Sequence, residues 1–109
     1  MSDRLQSFEA FWPYYLQEHS KPVTRWMHWV GTNIAVAIVV TAVTAGPLWL
    51  LAAALVPGYA FAWVSHFFVE KNRPATFKYP LWSLIADFKM WALMWTGRLG
   101  PHLTRYAVA

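Results

Sequence analysis

The chain has 109 residues, enough for one domain, and only 13% of them are charged, against about 25% in typical soluble domains. With 58% hydrophobic residues and a mean hydropathy of +0.31, this composition argues against water as the only solvent, and we expect a lipid bilayer as a partner. The sequence contains no cysteine, which excludes disulfides, thiolate metal sites and cysteine nucleophiles. Its basic residues flank apolar segments instead of forming one run, so no nucleic-acid partner is expected.

The first segment has aromatic and aliphatic residues at helical spacing from Leu5 to Leu16, with Pro13 inside the pattern. A proline in a helix interior removes a hydrogen bond, so we predict a kinked helix. Its aromatic residues are typical of a membrane interface, and we expect this helix to lie among lipid headgroups. Residues 19–24 then break the helix ahead of the uncharged part of the chain.

Residues 26–69 carry no formal charge, and this stretch is long enough for two membrane crossings of about 20 residues each. Gly46-Pro47 is a turn signal near its middle and is the expected apex. We therefore predict an all-α integral membrane protein with a transmembrane helical hairpin, about residues 22–45 and 48–69, and interfacial helices before and after it. Pro57-Gly58 should kink the returning helix.

A further apolar segment begins at Pro80 and again shows helical spacing. Because it contains Asp87 and Lys89, we expect it to lie in the interface or to pack on the hairpin instead of crossing. For Asp87 we favour an ion pair with Lys or Arg over the orientation of a histidine. The whole chain, residues 1–109, is interpreted as a single membrane domain.

Three histidines are expected at one end of the hairpin. His28 and His66 lie at similar distances from the predicted apex, so antiparallel helices would place them at the same depth. His19, just before the first crossing, can fold back over that end. Neutral imidazoles are good ligands for iron, zinc or copper, although a lone histidine near a helix end is more often an interfacial hydrogen-bonding group.

Other polar residues near this end are weaker candidates. Glu70 follows His66 by four residues and so shares its helix face, where a carboxylate could complete a metal shell or orient the ring. Asn72 and Arg73 could bind a substrate carboxylate, although charged residues beside a membrane helix commonly act as anchors. His102 is expected in a solvated tail, although it could fold back as a fourth nitrogen ligand of the metal.

Two motifs in the sequence resemble the Mpo1-like family, formerly called DUF962. The first is His19-Ser20-Lys21-Pro22 followed by His28 and Gly31, and the second covers residues 61–75, FAWVSHFFVEKNRPA. The likeness is to the short form of the family and covers most of the chain. Thr24 departs from the pattern, since we expect asparagine there.

The resemblance implies a membrane-bound, Fe(II)-dependent dioxygenase that shortens 2-hydroxy fatty acids by one carbon, with O2 and a fatty-acid-like molecule as substrates. It implies that His19, His28 and His66 hold Fe(II), with Glu70 in or beside the shell. We favour a role for Glu70 in orienting His66, since three histidines already offer a sufficient anchor. Glu70, Asn72 and Arg73 are the expected catalytic residues.

Two other functions remain open at this point. His28 and His66 could ligate a haem for electron transfer. Alternatively, the protein could bind lipids or act as a scaffold without catalysing a reaction. Self-association into a homo-oligomer is a further expectation, because two membrane helices enclose little and small residues allow close approach. Those residues are Gly31, Ala35, Ala42 and Ala45.

The distribution of cations predicts the topology. Arg4, Lys21 and Arg25 precede the hairpin, cations follow it from Lys71 onward, and the predicted apex has none. Because cations are retained on the cytoplasmic side, both termini should face the cytoplasm, in what we expect to be a bacterial inner membrane. Reporter fusions at the two ends should therefore give the same, cytoplasmic signal. Signals from opposite compartments would contradict this topology.

Overall fold

The computed structural model describes residues 5–108, and this part of the chain is helical with no strand. The all-α prediction is confirmed. The six α-helices are α1 (Phe8–Gln17), α2 (Pro22–Thr44), α3 (Leu50–Ala53), α4 (Leu55–Val64), α5 (Pro80–Trp95) and α6 (Leu99–Arg105). A π-helical turn at Ser65–Glu70 follows α4, and a 3₁₀ turn at Ala75–Phe77 precedes α5.

Helix α2 and the helical segment Leu50–Glu70 form the predicted hairpin, and both are long and apolar enough to cross a membrane. Their ends agree with the predicted 22–45 and 48–69 to within about two residues, the usual uncertainty of helix ends. Large apolar side chains on them are exposed, including Val43 at 68%, Val56 at 68% and Phe68 at 74%. A helix that buries its apolar surface in a soluble core would not leave such side chains uncovered.

The returning helix is interrupted at Ala54, between α3 and α4, just before the predicted kink at Pro57-Gly58. Proline has no N–H group to donate to the carbonyl four residues earlier, which here belongs to Ala53. The effect of Pro57 therefore falls on the turn that precedes it. The helix continues regularly through Gly58.

Small residues bring the two helices of the hairpin into close contact. A Cβ atom built on Gly31 would lie 2.7 Å from the Cβ of Phe61 and 2.8 Å from the carbonyl oxygen of Pro57. A Cβ atom on Gly58 would lie 3.8 Å from the Cβ of Ala35, an ordinary contact. Gly31 and Ala35 thus pack against the other helix of the same chain. From the sequence alone, these residues were instead expected at contacts between two copies of the protein.

The hydrophobic core lies outside the hairpin, where α1 packs on α5 and α6. The side chains of Phe11, Tyr15 and Leu16 are fully buried there. The aromatic face of α1 therefore covers a protein core, and the expected place of this helix among lipid headgroups stays a prediction. Ser7 caps the helix by accepting a hydrogen bond from the Ala10 N–H, and α1 runs through Pro13 as one helix.

Helix α5 is attached to the hairpin by two tryptophans. The side-chain oxygen of Asn33, on α2, accepts hydrogen bonds from the indole N–H groups of Trp91 (2.9 Å) and Trp95 (3.0 Å). Asn33 is half-buried, and the acceptor that the two indoles share fixes the register of α5 on α2. The expectation that α5 packs on the hairpin is confirmed.

The close approach at Gly31 predicts a specific loss of stability. Gly31→Ala should lower the free energy of unfolding by about 1–3 kcal/mol, because the new methyl group overlaps a backbone carbonyl that cannot move away cheaply. Thermal unfolding in detergent, followed by circular dichroism, measures the effect. Gly58→Ala is the matched control on the facing helix and should be neutral or slightly stabilising, because alanine favours helix. Equal midpoints for the two variants would contradict the packing described.

Candidate metal centre

Three buried histidines meet at the end of the hairpin away from its apex. The Nε2 atom of His19 lies 3.1 Å from Nε2 of His28 and 3.0 Å from Nε2 of His66. Each ring offers one nitrogen, and these nitrogens all lie within 4.8 Å of one another. His19 is in the link between α1 and α2, His28 is on α2, and His66 is in the π-helical turn. The structure therefore brings together the three residues that the sequence singled out.

Each ring is oriented through its other nitrogen. Nδ1 of His19 donates to the carbonyl oxygen of Tyr15 (2.6 Å), and Nδ1 of His28 donates to that of Thr24 (2.9 Å). Nδ1 of His66 donates to the side-chain oxygen of Asn72 (2.7 Å). Since these oxygens accept hydrogen bonds, the ring proton of each histidine lies on Nδ1. All three Nε2 atoms then carry bare lone pairs.

Lone pairs that face one another at this distance repel unless a cation lies between them. Burial, and next the neighbouring His28 and His66, hold the pKa of His19 well below its usual value, so protonation does not relieve the repulsion near neutral pH. A metal ion would relieve it. Neutral imidazole with Nδ1–H bound to a carbonyl is the usual form of a metal-ligating histidine.

The spacing of the nitrogens also fits a shared metal ion. With metal–nitrogen bonds of about 2.1 Å, two ligands at 90° to 109° are about 3.0 to 3.4 Å apart. The two Nε2 separations of 3.0 and 3.1 Å agree with that range. Three nitrogen donors without a thiolate suit iron, zinc or copper.

Asn72 is placed by the turn that ends the hairpin. Lys71 has φ 62° and ψ 42°, a left-handed conformation that reverses the chain after the π-helical turn. The N–H of Asn72 consequently donates to the carbonyl of His66 at 2.9 Å, while its side chain returns to the ring of the same residue. The Asn72 amide nitrogen donates to the carbonyl of Glu18 at 3.1 Å, which sets the orientation of the amide.

The expectation that Glu70 orients His66 is wrong, because Asn72 occupies that position. The Glu70 carboxylate instead accepts hydrogen bonds from the Ser20 hydroxyl (3.0 Å) and the Lys21 N–H (2.6 Å). Those groups lie at the start of α2, where free N–H groups and the helix dipole favour a negative charge. Glu70 thus links the hairpin to the segment that carries His19.

Arg73 and His102 lie away from the three rings. The Arg73 side chain is exposed and lies over the ring of Phe77, 5.9 Å from its centroid. His102 is partly buried on α6, and its Nδ1 accepts a hydrogen bond from the Trp12 indole at 3.1 Å. The expectation of a solvated tail for His102 is therefore wrong, since α6 packs back on α1.

A groove of about 230 Å³ runs from His28 along the hairpin, between α2, α3, α4 and α5. His28, Thr32 and Asp87 line it, together with mostly apolar side chains that reach Val39 and Leu51 further along the hairpin. A long, mostly apolar cavity with few polar groups is typical of a site for an amphipathic small molecule. The sequence did not predict this groove.

Asp87 is paired with Tyr15, and the expected ion pair with Lys or Arg is wrong. The Tyr15 hydroxyl donates to Oδ1 of Asp87 by a short hydrogen bond. Burial raises the pKa of Asp87 to about 7, although the hydrogen bond from Tyr15 lowers it. Burial raises the pKa of Tyr15 well above its usual value, so the hydroxyl keeps its proton. The Tyr15 ring also stacks on His19, with centroids 4.0 Å apart.

Sequence reasoning missed the roles of Tyr15, Thr24 and Asn72 around the rings. Tyr15 and Thr24 each precede a histidine by four residues, the spacing at which a carbonyl can accept from the ring. This spacing is visible in the sequence. The Thr24 hydroxyl is buried and makes no hydrogen bond with any part of the chain that the structure describes, and nothing in the structure explains why threonine stands there.

Fold and site together define a class, an all-helical protein with a hairpin that could cross a membrane and a buried site of three histidines suited to a metal ion. Comparison with family models agrees. The model described as 2-hydroxy-palmitic acid dioxygenase Mpo1-like matches residues 5–99, so the chain belongs to the Mpo1-like family. No curated protein and no solved structure matches the chain.

The hydrogen bond from His66 predicts the effect of Asn72 on metal binding. Asn72→Ala should weaken metal affinity by about 10- to 100-fold, because the ring loses the acceptor that fixes its proton and orientation. Titration of metal-free protein with Fe(II) or Zn(II) measures the change. His28→Ala should abolish tight binding and His102→Ala should leave it unchanged. Wild-type affinity in Asn72→Ala would show that Asn72 does not orient the site.

Proposed function

We propose that this protein is a membrane-embedded, Fe(II)-dependent dioxygenase that shortens 2-hydroxy fatty acids by one carbon. His19, His28 and His66 would hold the metal ion. The observation that carries the proposal is the convergence of three bare Nε2 lone pairs in a buried site beside an apolar groove. The family description names a 2-hydroxy-palmitic acid dioxygenase, which supports the reaction type and the substrate class.

The groove would hold the acyl chain. Its lining begins at His28 and continues among apolar side chains of the hairpin, so a fatty acid could place its polar end at the histidines and its tail beside the helices. Burying each methylene group contributes about 0.8 kcal/mol, and this binding energy orients the head of the molecule. We also propose that both termini, and with them the histidines, lie on the cytoplasmic side of the membrane, where the cations that flank the hairpin are retained.

The overall reaction balances with one O2 per substrate. The C1–C2 bond of the 2-hydroxy acid breaks, C1 leaves as carbon dioxide and C2 becomes the new carboxyl carbon. This four-electron oxidation matches the reduction of O2, with water as the other product. Bound Fe(II) would supply the redox chemistry with O2 and a binding position for the hydroxy carboxylate.

The chain's own residues hold and orient these groups. The three histidines provide uncharged donors, and Tyr15, Thr24 and Asn72 keep their protons on Nδ1. The apolar groove walls hold the acyl chain away from water. Glu70, which we expected among the catalytic residues, would act indirectly by joining the two segments that carry His19 and His66.

The geometry favours this proposal over a haem with His28 and His66 as axial ligands. Two axial imidazoles hold a wide, planar macrocycle between them. Here the ring centroids of His28 and His66 are only 5.0 Å apart, and the Nε2 of His19 lies within 3.1 Å of the Nε2 atoms of both. The visible spectrum of purified protein provides a direct check, since a sharp Soret band would favour haem.

With Fe(II) and O2, the protein should convert 2-hydroxyhexadecanoic acid to pentadecanoic acid and leave the 3-hydroxy isomer unchanged. A 2-hydroxy carboxylate closes a compact chelate on one metal ion, whereas moving the hydroxyl by one carbon enlarges the chelate and displaces the bond to be broken. Mass spectrometry of the products and an oxygen electrode measure the conversion. His28→Ala, shown to be folded by circular dichroism, should consume no oxygen.

Either of two outcomes would remove this function and leave the fold standing. If protein with a full complement of iron consumes no oxygen with 2-hydroxy acids over a range of chain lengths, the proposed reaction is wrong. If protein purified without chelators or affinity tags contains no metal and takes up none, the non-enzymatic lipid-binding alternative is favoured instead.

A further inference from the structure

Asp87 is the one carboxyl group among the described residues that line the groove, and it shares the groove wall with His28. Its Oδ1 accepts the hydrogen bond from Tyr15. Its Oδ2 makes no hydrogen bond with the described part of the chain. A carboxyl group that lines an apolar groove with one oxygen unused by the chain is open to a ligand, and such groups commonly mark a ligand contact.

Tyr15 fixes where the free oxygen of Asp87 can point. The Tyr15 side chain is fully buried, and its ring is held by stacking on both His19 and Trp12. The Tyr15 hydroxyl therefore holds Oδ1 of Asp87 in one place. Because the carboxyl group is rigid and planar, this also restricts the position of Oδ2. The same tyrosine supplies the carbonyl that orients His19, so the acceptor and the histidine site share one rigid support.

We propose that Asp87 recognises the hydroxyl group of the substrate, accepting its hydrogen bond through the carboxyl oxygen that Tyr15 leaves free. This inference rests on the proposed function, because it assumes a hydroxylated acyl ligand in the groove. A plain fatty acid of the same length would leave that oxygen unpaired after water has been displaced from the groove. An unpaired buried acceptor discriminates strongly, whereas apolar walls alone distinguish such ligands weakly.

A single acceptor on one wall also makes recognition chiral. The carboxylate end of the substrate is directed to the histidines, the chain to the apolar part of the groove, and the hydroxyl to Asp87. Three contacts with different groups around C2 distinguish its two enantiomers. Chelation by a metal ion alone, with the acyl chain in a groove that has no acceptor, would not fix the side on which the hydroxyl lies and would not distinguish the enantiomers.

Competition for the groove, measured without turnover, tests the role of Asp87. Protein loaded with Fe(II) under anaerobic conditions is labelled with a photoreactive fatty acid, and 2-hydroxyhexadecanoic and hexadecanoic acids are compared as competitors. We expect the hydroxyl to improve competition by about 10- to 100-fold in the wild type, as when a ligand pairs an acceptor that would otherwise be left without a hydrogen bond. Asp87→Leu should reduce this preference to about threefold or less and remove the difference between enantiomers.

Two further variants make the experiment decisive. Asp87→Leu leaves the Tyr15 hydroxyl without a partner and could destabilise the protein, so the double variant Tyr15→Phe with Asp87→Leu removes both groups together. Thr32→Val is the matched control, since Thr32 lines the same groove one turn beyond His28 and the substitution removes only its hydroxyl. Thr32→Val should retain the preference for the hydroxy acid.

Failure of this inference differs from failure of the proposed reaction. If both acids and both enantiomers compete with the label on Asp87→Leu and on the double variant as they do on the wild type, Asp87 does not recognise the hydroxyl. This conclusion holds whether or not the protein is active. If the wild type prefers the hydroxy acid and the variants without Asp87 do not, the inference stands even when no oxygen is consumed. Loss of the preference in Thr32→Val alone would assign recognition to that hydroxyl and overturn the proposal.

Discussion

The structure depends on one constraint, that three neutral imidazoles present bare Nε2 lone pairs to one another within a buried space. Each proton is held on Nδ1 by an acceptor from a different part of the chain: the end of α1, the body of α2 and the turn after the hairpin. Without a cation this arrangement is repulsive, and with a metal ion it is favourable. Metal affinity and the stability of this end of the fold are therefore coupled, since a ligand that binds only the folded form stabilises it.

Holding His66 in place requires an irregular end to the hairpin. The chain leaves α4 through a π-helical turn and then reverses at Lys71, whose left-handed conformation is unfavourable for a residue with a Cβ atom. Such strain persists where other contacts over-determine it, and it is common at functional sites. Here Asn72 donates a hydrogen bond to the carbonyl of His66 and accepts one from its ring, and the Glu70 carboxylate binds the start of α2. The local cost is offset by contacts that also position His66.

The protein combines two kinds of apolar surface, and the three histidines lie where they meet. The hairpin exposes apolar side chains along most of its length, whereas α1 buries its apolar face against α6 and one side of α5. The groove leads from His28 along the hairpin. A substrate with a polar head and an apolar tail fits both ends of this arrangement. The packing of α1 and α5 contributes to what the site can bind, because α1 carries Tyr15 and α5 carries Asp87, which lines the groove beside the hairpin.

The sequence by itself determined the hairpin, its apex and the depth of the three histidines, because these follow from charge-free length, turn chemistry and a fixed rise per residue. It did not determine the neighbours of the polar groups. Glu70 was paired with His66 from their spacing and Asp87 with a cation from general preference, yet the actual partners are Asn72 for His66 and Tyr15 for Asp87. A left-handed turn at Lys71 and the packing of α1 on α5 bring these partners together. Only the tertiary structure decides such pairings, because they depend on how separate helices meet and not on the period of any one of them.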